Sequence, residues 1–170
     1  AGTCNDLARS LDIPVDIKKS MDIILAGNTA YIDAGLINNE IWFLNTCAGG
    51  NFVDVSYSTN SDLKRNFGTF AYYLNALQEV AQLKPFYLKV TTDENVIEGD
   101  FLMFLILNGR HAAGFNDIAK HADISDGFMN IMLVKNCRRY ELPGMFLRAI
   151  SRDFSNDKNV ISMKAKSCTI

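Results

Sequence analysis

The sequence predicts a mostly β domain with helices, of the α+β class, in which helices pack on an antiparallel β-sandwich-like sheet. Six or more segments have the β-branched and aromatic content of strands, whereas few have helical spacing. Two pairs of these segments flank short polar turns, Asn38-Asn39 and Asp93-Glu94, as the strands of β-hairpins do. With 48% hydrophobic and 21% charged residues, the 170-residue chain has the composition of a globular domain.

The order of the segments is two helices, a hairpin, a longer helix, a second hairpin, a long loop, a strand, a helix and a last strand. Pro14 separates the first two helices, because proline disfavours helical backbone in the residue before it. Residues 108–125 form the long loop, and a loop of this length inside a domain is usually functional. The predicted helices are residues 5–11, 16–26, 68–83 and 140–152, and the predicted strands are residues 29–37, 40–47, 86–92, 95–107, 128–134 and the segment from Val160.

The charge and hydropathy patterns exclude several classes of protein. A net charge of −2 and a pI near 5.6 provide no overall basic field, so we expect no nucleic-acid partner. The most apolar stretch, residues 101–107, is much shorter than the roughly 20 residues of a transmembrane helix. No signal peptide is recognisable, so we expect a cytoplasmic protein, with peripheral contact at the inner membrane face left open.

Known metal, redox and nucleotide motifs are absent from the sequence. The four cysteines form no C-x-x-C pair and are expected to be reduced thiols, and the two histidines have no third ligand at a recognisable spacing. The sequence also contains no G-x-S-x-G, G-x-G-x-x-G or P-loop motif, which argues against hydrolase, Rossmann and P-loop proteins.

The first residues of the chain could bind phosphate. Gly2 and Thr3 precede a predicted helix, so backbone N–H groups and the Thr3 hydroxyl could donate to an anion that the helix dipole favours. Asn5 and Asp6 could hold a ribose or a metal-bound water. An ordinary helix N-cap is the simpler interpretation, and the residues alone favour it.

An acidic bend, defined here as residues 123–128, has the composition of a cation site. Asp123 and Asp126 lie three residues apart beside Gly127, so a carboxylate and nearby carbonyls could face a hard cation such as Mg²⁺. An EF-hand is excluded, because Val134 stands where the twelfth-position glutamate of that loop would be. A capped turn ahead of a strand explains the same residues equally well.

Basic residues surround the apolar helix predicted at residues 140–152. An amphipathic basic helix can lie on an anionic lipid surface, but the sequence favours a solvated charged face. These basic residues are Lys135, Arg138, Arg139, Arg148 and Arg152.

The order of these segments and their amino-acid sequences resemble those of the diacylglycerol kinase catalytic family of bacterial lipid kinases along almost the whole chain. The opening GTCNDLARSLDIP is similar to the family's G-T-x-N-D-x-A-R segment, and ADISDGFMNIML is similar to its acidic turn. These two segments are the most specific. Between them, in family order, are Tyr31-Ile32-Asp33, WFLN, Gly49-Gly50, LKRNFGTFAYYLNAL and Asn108-Gly109.

The resemblance implies a fragment of an ATP-dependent lipid kinase, which transfers the γ-phosphate of ATP to a hydroxyl of diacylglycerol or a related lipid. Such kinases hold the active site between an α/β domain and a β-sandwich. Residues 1–28 would then be a remnant of the nucleotide-site edge with connecting helices. Residues 29–170 would be the C-terminal sandwich-like domain of the diacylglycerol/NAD kinase-like superfamily, and the N-terminal α/β domain would be missing.

The resemblance also implies two sets of ligand-binding residues. Mg²⁺ would be held by the Asp126 carboxylate and by the backbone carbonyls of Asp123 and Phe128. Thr3 would contact the nucleotide, and other residues would line the same edge of the cleft. The nucleotide-binding set is Gly2, Thr3, Asn5 and Asp6.

Two motifs of the family are absent from these 170 residues. The glycine-glycine-aspartate-glycine-threonine phosphate motif would precede Ala1, and the aspartate-glycine-glutamate motif, which holds the general base, would follow Ile170. Phosphoryl transfer depends on positioning and on charge stabilisation, so we expect the fragment alone to be inactive. His111-Ala112-Ala113 also replaces residues that are mostly glycine in the family, and Lys120 replaces a proline.

Two alternatives stay open. The chain could come from a sphingosine- or ceramide-type lipid kinase or from an NAD kinase of the same superfamily, although the acidic bend and the AYYLNAL segment favour the lipid branch. It could also be a non-catalytic domain that binds a lipid or a partner subunit. Strand edges left exposed without a partner domain would favour a homodimer.

Overall fold

The computed structural model describes residues 4–50 and 84–170. Short 3₁₀ turns at Arg139–Glu141 and Phe154–Asn156 flank the third helix. The helix predicted at residues 68–83 lies outside the described residues. In chain order the elements are α1 (Asp6–Ser10), α2 (Ile17–Leu25), β1 (Gly35–Ile37), β2 (Ile41–Phe43), β3 (Thr46–Gly50), β4 (Phe86–Thr92), β5 (Val96–Leu107), β6 (Met129–Lys135), α3 (Leu142–Ile150), β7 (Val160–Ala165) and β8 (Cys168–Thr169).

An antiparallel sheet in the order β7-β6-β5-β4-β8 forms the body of the domain. The 12-residue strand β5 is its centre, because three strands pair with it. Along one edge, β5 pairs first with β4 and then, from Met103 to Leu107, with β3. Strand β6 pairs with the opposite edge of β5. The predicted mostly antiparallel fold is therefore confirmed.

The sheet has to curl, because its two edge strands follow each other directly in the chain. Lys166 and Ser167 alone connect β7 to β8, and a link of that length spans at most about 11 Å. A flat sheet with strands about 4.8 Å apart would separate β7 from β8 by about 19 Å. Residues from across the sheet are accordingly buried together on its inner face: Leu88, Val90, Phe101, Ile131, Leu133 and Ala165.

A β-bulge in β5 lets this strand contribute to both faces of the sheet. The register with β6 shifts between Phe101 and Met103, so Leu102 is the extra residue. Ile97 and Phe101 face the inner core before the bulge, and Phe104 and Ile106 face it afterwards. Without the bulge, the alternation of strand side chains would turn one half of β5 the wrong way.

The outer face of the sheet is covered by α3 and by the loop that follows β5. Pro143 suits the first turn of α3, because its fixed φ matches the helix and its missing N–H would be unpaired there. No helix in the described ranges is long and apolar enough to cross a membrane. The outer-face core includes Leu102, Leu105, Leu107, Ala112, Ile118, Met132, Leu142, Met145, Ala149 and Phe154.

The first predicted hairpin is present but differs in extent. Asn38 and Asn39 have positive φ angles of 52° and 61° and form the turn between β1 and β2. The predicted strand at residues 29–37 is wrong for residues 29–34, which are not in a strand. The predicted strand at 40–47 is two strands, because the chain leaves the hairpin after β2 and β3 joins the large sheet beside β5.

Strand β3 continues through Gly49 and Gly50, beyond its predicted end at Cys47. Gly49 lies opposite Phe104 of β5, and a Cβ added to Gly49 would lie 2.3 Å from the Phe104 ring. Glycine therefore belongs in this strand because the neighbouring aromatic side chain occupies the space.

Leu133 tests the inner core, since its side chain is fully buried among β-strands. Leu133→Ala should lower the free energy of unfolding by about 2–5 kcal/mol, because it leaves a cavity as well as losing apolar contact. Chemical denaturation of both proteins measures the difference. The matched control is Leu147→Ala on the exposed side of α3, which should change stability by less than about 1 kcal/mol. Equal effects of the two variants would contradict the assigned core.

Candidate functional site

The acidic bend is held by hydrogen bonds to both of its carboxylates. The Asp123 Oδ1 accepts from the Ser125 N–H and from the Ser125 Oγ, each at 3.0 Å. The Asp126 Oδ1 accepts from the Phe128 N–H at 3.0 Å, and its Oδ2 lies 2.7 Å from the Lys164 Nζ. The bend is therefore an ordered turn with one carboxylate in an ion pair with β7.

The Ser125 hydrogen bonds also shift the ionisation of Asp123. The backbone N–H and the hydroxyl of Ser125 hold the pKa of Asp123 below its ordinary value, with smaller contributions from the positive charges of Lys164 and Arg110. Asp123 thus stays an anion at physiological pH.

Asp33, in the segment before β1, holds the acidic bend through hydrogen bonds. Its Oδ2 accepts from the Gly127 N–H at 2.7 Å, and its own N–H donates to the Ile124 carbonyl at 2.8 Å. The Asp33 carbonyl accepts from the Asn108 amide at 2.6 Å. Asp33 is not among the predicted site residues. Its place in the Tyr31-Ile32-Asp33 segment was the available signal, but 94 residues separate it from Gly127.

Asn108, at the end of β5, is the buried partner that positions Asp33. Besides Asp33, the Asn108 amide donates to the Leu44 carbonyl at 2.9 Å. The Asn108 N–H donates to the Asn45 carbonyl at 2.8 Å. Gly109 follows because α1 passes close by: a Cβ there would lie 2.3 Å from the Ser10 Oγ. The Asn108-Gly109 turn thus joins the sheet, the Asp33 segment and α1.

The long loop ties α1 to the acidic bend. The Gly114 N–H lies 3.3 Å from each oxygen of the Asp6 carboxylate. The Arg9 Nη1 donates to the Asn116 Oδ1 at 3.2 Å. Asn5 is the residue before α1, and its side chain makes no capping hydrogen bond. The N-cap interpretation therefore does not account for Asn5 and Asp6, since Asp6 binds the loop instead.

The predicted nucleotide-binding residues are only partly described by the structure. Asp6 and Asn5 lie at the start of α1, beside the loop that leads into the acidic bend. Gly2 and Thr3 lie outside the described residues, so their predicted contact with a nucleotide stays a prediction.

His111 has a structural position in the same loop. Its Nδ1 accepts a hydrogen bond from the Asp117 N–H at 3.0 Å, and the residue is buried. Burial lowers the pKa of His111, against the opposing effect of the Asp117 charge. The uncharged His111 ring therefore stabilises the loop by accepting this hydrogen bond.

The bend suits Mg²⁺ in its chemistry. It offers carboxylate and carbonyl oxygens, and Mg²⁺ is commonly bound through one or two carboxylates together with waters. Among residues 4–50 and 84–170, no three His, Cys, Asp or Glu side chains are close enough together to hold a metal. The Lys164 ammonium already neutralises Asp126, so a divalent cation at this carboxylate would have to share or displace that ammonium.

The family model of the YegS C-terminal NAD kinase β-sandwich-like domain matches residues 48–170, which is most of the chain. The protein belongs to this domain family. The match begins within β3 and covers the rest of the large sheet, the long loop, the acidic bend and α3. The fold class expected from the sequence and the resemblance to diacylglycerol kinases are both confirmed.

Individual relatives cover nearly all of the chain. Proteins named diacylglycerol kinase from Staphylococcus epidermidis and Staphylococcus aureus are each 35% identical to it over 169 residues. A crystal structure from Bacillus anthracis superposes with a TM-score of 0.77 and 27% identity. A second crystal structure, described as that of a diacylglycerol kinase from the same organism, has a TM-score of 0.71 and 25% identity.

The match covers only part of each relative. It includes 99% of this chain but 53% of the staphylococcal proteins and 54% of the Bacillus anthracis chains. The YegS-like domain described here therefore spans about half the length of the curated relatives that it matches.

The ionisation of Asp123 tests the geometry of the bend. Ser125→Ala removes the hydroxyl donor, so the pKa of Asp123 should rise towards its ordinary value. A depressed pKa in the folded state contributes stability above the unfolded-state pKa, and this contribution is lost as the pH falls through the folded-state value. Ser125→Ala should therefore be less stable than the native chain at neutral pH, and this difference should disappear as the pH falls through the folded-state pKa of Asp123.

Carboxyl ¹³C NMR titration of Asp123 measures this shift directly. Ser167→Ala, at the exposed link between β7 and β8, is the matched control and should leave the titration unchanged. An Asp123 titration that is the same in both variants would show that Ser125 does not hold this carboxylate in solution.

Proposed function

We propose that this YegS-like domain is the sandwich half of an ATP-dependent lipid kinase that transfers the γ-phosphate of ATP to a hydroxyl of diacylglycerol or a related lipid. The observation that carries the proposal is the linkage of α1, the long loop and the acidic bend through Asp6, Gly114 and Asp33. The segments that hold α1 and the acidic bend are those whose sequences resemble lipid kinases most specifically. The names of the staphylococcal relatives support the same activity.

In this proposal the start of the chain faces the nucleotide. Thr3 would contact ATP, with Gly2, Asn5 and Asp6 along the same edge. The contact of Asp6 with Gly114 supports this placement, because it fixes the start of α1 against the loop before the bend. A nucleotide held there would lie beside the positive charges of Arg9 and Arg110.

The acidic bend would hold Mg²⁺ through the Asp126 carboxylate and the backbone carbonyls of Asp123 and Phe128. When bound, Mg²⁺ supplies positive charge that stabilises phosphate oxygens in phosphoryl transfer. The chain's own contribution is to fix the position of the carboxylate. Asp33 does this from one side through Gly127, and Lys164 does it from the other through Asp126.

The 170 residues would not catalyse transfer by themselves. They contain neither the glycine-rich phosphate motif nor the aspartate-glycine-glutamate motif of the resembling kinases. Without the groups that hold the phosphates and accept the hydroxyl proton, positioning and charge stabilisation are lost.

A radiolabel transfer assay from ATP tests the activity. The enzyme is a protein that joins this chain to the remaining length of its relatives, and the acceptors are diacylglycerol, phosphatidylglycerol, sphingosine and NAD. We expect labelled diacylglycerol or a related lipid, and no label with the 170 residues alone. Asp126→Asn should lower kcat/KM by about 10–100-fold, as losses around a metal site typically do.

Asp93→Asn, in the exposed turn between β4 and β5, is the matched control and should keep full activity. Labelling of NAD alone would contradict the lipid assignment. Transfer by the isolated 170 residues would contradict the predicted need for the missing motifs.

The competition between Lys164 and a divalent cation can be measured without activity. Lys164→Met removes the ammonium from Asp126, so Mg²⁺ should bind more tightly, whereas Asp126→Asn should bind it more weakly. Isothermal titration of Mg²⁺ into each variant gives the two affinities. Lys166→Met, two residues along and over the Phe128 ring, is the control with the same charge change. Equal effects of the two lysine variants would reject a cation at Asp126.

A further inference from the structure

The outward face of α3 carries exposed apolar side chains, with Arg148 as its one charged residue. Tyr140 precedes the helix by two residues, and it is 71% exposed, while Leu147 and Ile150 are 64% and 49% exposed. Pro143 is also exposed, between Tyr140 and Leu147. At about 100° per residue, Tyr140 and Leu147 lie on the same side of a continuous helical run.

The opposite side of α3 is already used by the core. Leu142, Met145 and Ala149 are buried against the sheet and the long loop. Phe146 packs edge-on against Phe115 of that loop, with ring centroids 6.0 Å apart. A surface helix normally carries polar residues opposite its buried stripe, so an apolar outer stripe indicates a second surface that covers it.

Positive charge is concentrated around this helix. Residues 135–158 hold six Lys and Arg and three Asp and Glu, so the segment carries +3 although the whole chain carries −2. By contrast, α2 and its N-cap (residues 16–25) hold two lysines and two aspartates and are neutral. Basic residues beside exposed apolar ones are the composition of a helix that lies on an anionic lipid surface.

The acidic residues near α3 are already paired within the domain. Glu141 lies 2.5 Å from Lys158, and Asp153 and Asp157 share Arg148. Lys158 holds the pKa of Glu141 below its usual range, which keeps this pair ionised. These acids therefore oppose an approaching anionic surface only weakly.

Two arginines are placed to meet that surface beside the apolar stripe. The Arg138 guanidinium lies 5.9 Å from the centre of the Tyr140 ring and donates to its hydroxyl at 2.8 Å. In the described part of the chain, neither Arg138 nor Arg139 forms an ion pair. Of the five basic residues that the sequence predicts on a solvated face, Arg148 and Arg152 thus form ion pairs and Lys135 donates to the Lys158 carbonyl at 3.5 Å. Arg138 and Arg139 are the other two.

We propose that α3 docks the domain on an anionic phospholipid bilayer, with Tyr140, Leu147 and Ile150 at the lipid boundary and Arg138 and Arg139 on the phosphates. The biological purpose rests on the proposed function, since a lipid kinase has to reach a substrate held in a bilayer. A second copy of the chain is the less suitable occupant. A two-fold contact would bring the same two arginines of both copies together, and their charges would repel.

Vesicle co-sedimentation of the full 170-residue chain tests the docking. The vesicles are phosphatidylcholine with one quarter phosphatidylglycerol, against pure phosphatidylcholine. We expect binding to the anionic vesicles that weakens as salt rises. Leu147→Glu should lower the partition coefficient at least about tenfold, because it puts a charge into the boundary. Arg138→Gln with Arg139→Gln should lower it by about 25-fold, or about fivefold per cation.

The matched controls lie on α2, which has the same length as α3 and a leucine, Leu25, that is 78% exposed. Leu25→Glu, and Lys18→Gln with Lys19→Gln, should each change the partition coefficient by less than twofold. Circular dichroism confirms that all variants are folded. No binding of the native chain to anionic vesicles, or equal losses in the α2 and α3 variants, would overturn the proposal. So would self-association by light scattering that Leu147→Glu abolishes without any vesicle binding.

The same variants separate this proposal from the proposed function. In the longer enzyme, Leu147→Glu should retain transfer to water-soluble short-chain diacylglycerol and lose it only on vesicles. Loss on both substrates would overturn the assignment of α3 to docking. Vesicle binding by α3 in a protein that transfers no phosphate would overturn the kinase assignment and leave the docking surface intact.

Discussion

The candidate site depends on the hydrogen bonds of Asp33. Its carboxylate accepts from the Gly127 N–H, its N–H donates to the Ile124 carbonyl, and its carbonyl accepts from Asn108. A turn of six residues with two carboxylates would otherwise have many conformations, and ordering it costs roughly 1–2 kcal/mol per residue in backbone entropy. Two of these hydrogen bonds hold the bend, and the third attaches Asp33 to the end of β5.

The curled sheet explains why these distant segments meet. The bulge at Leu102 lets β5 serve the inner core with one set of side chains and the outer core with the other. Strand β5 then ends in Asn108-Gly109, where the Asp33 segment, α1 and the long loop converge. The loop runs from there past α1 and Phe146 of α3 to the acidic bend. One connection thus links the proposed nucleotide edge, the proposed cation site and the proposed docking helix.

Local patterns in the sequence predicted much of this fold. Periodicity and Pro14 placed α1 and α2 to within one residue of their ends, and the segment 86–92 coincides with β4. The boundaries that were wrong depend on distant partners. Strand β3 is separated from β2 where Asn108, more than 60 residues away, binds the Leu44 carbonyl. No local propensity contains that information.

The same limit applies to the candidate site, because only its local part can be predicted from the sequence. Asp123 and Asp126 stood out because a tight acidic turn is visible in the sequence. Asp33 and Lys164 did not, since their contacts with the bend span 94 and 38 residues. The basic residues around α3 are visible in the sequence. Which of them form ion pairs, and which apolar side chains of the helix are exposed, depends on how the helix packs.

Paramagnetic NMR with Mn²⁺ in place of Mg²⁺ tests the central claim, that Asp33 holds the acidic bend as a cation site. Amide broadening should centre on residues 123–128 in the native chain and fall strongly in Asp33→Ala. Broadening centred elsewhere, or unchanged by that substitution, would contradict the account.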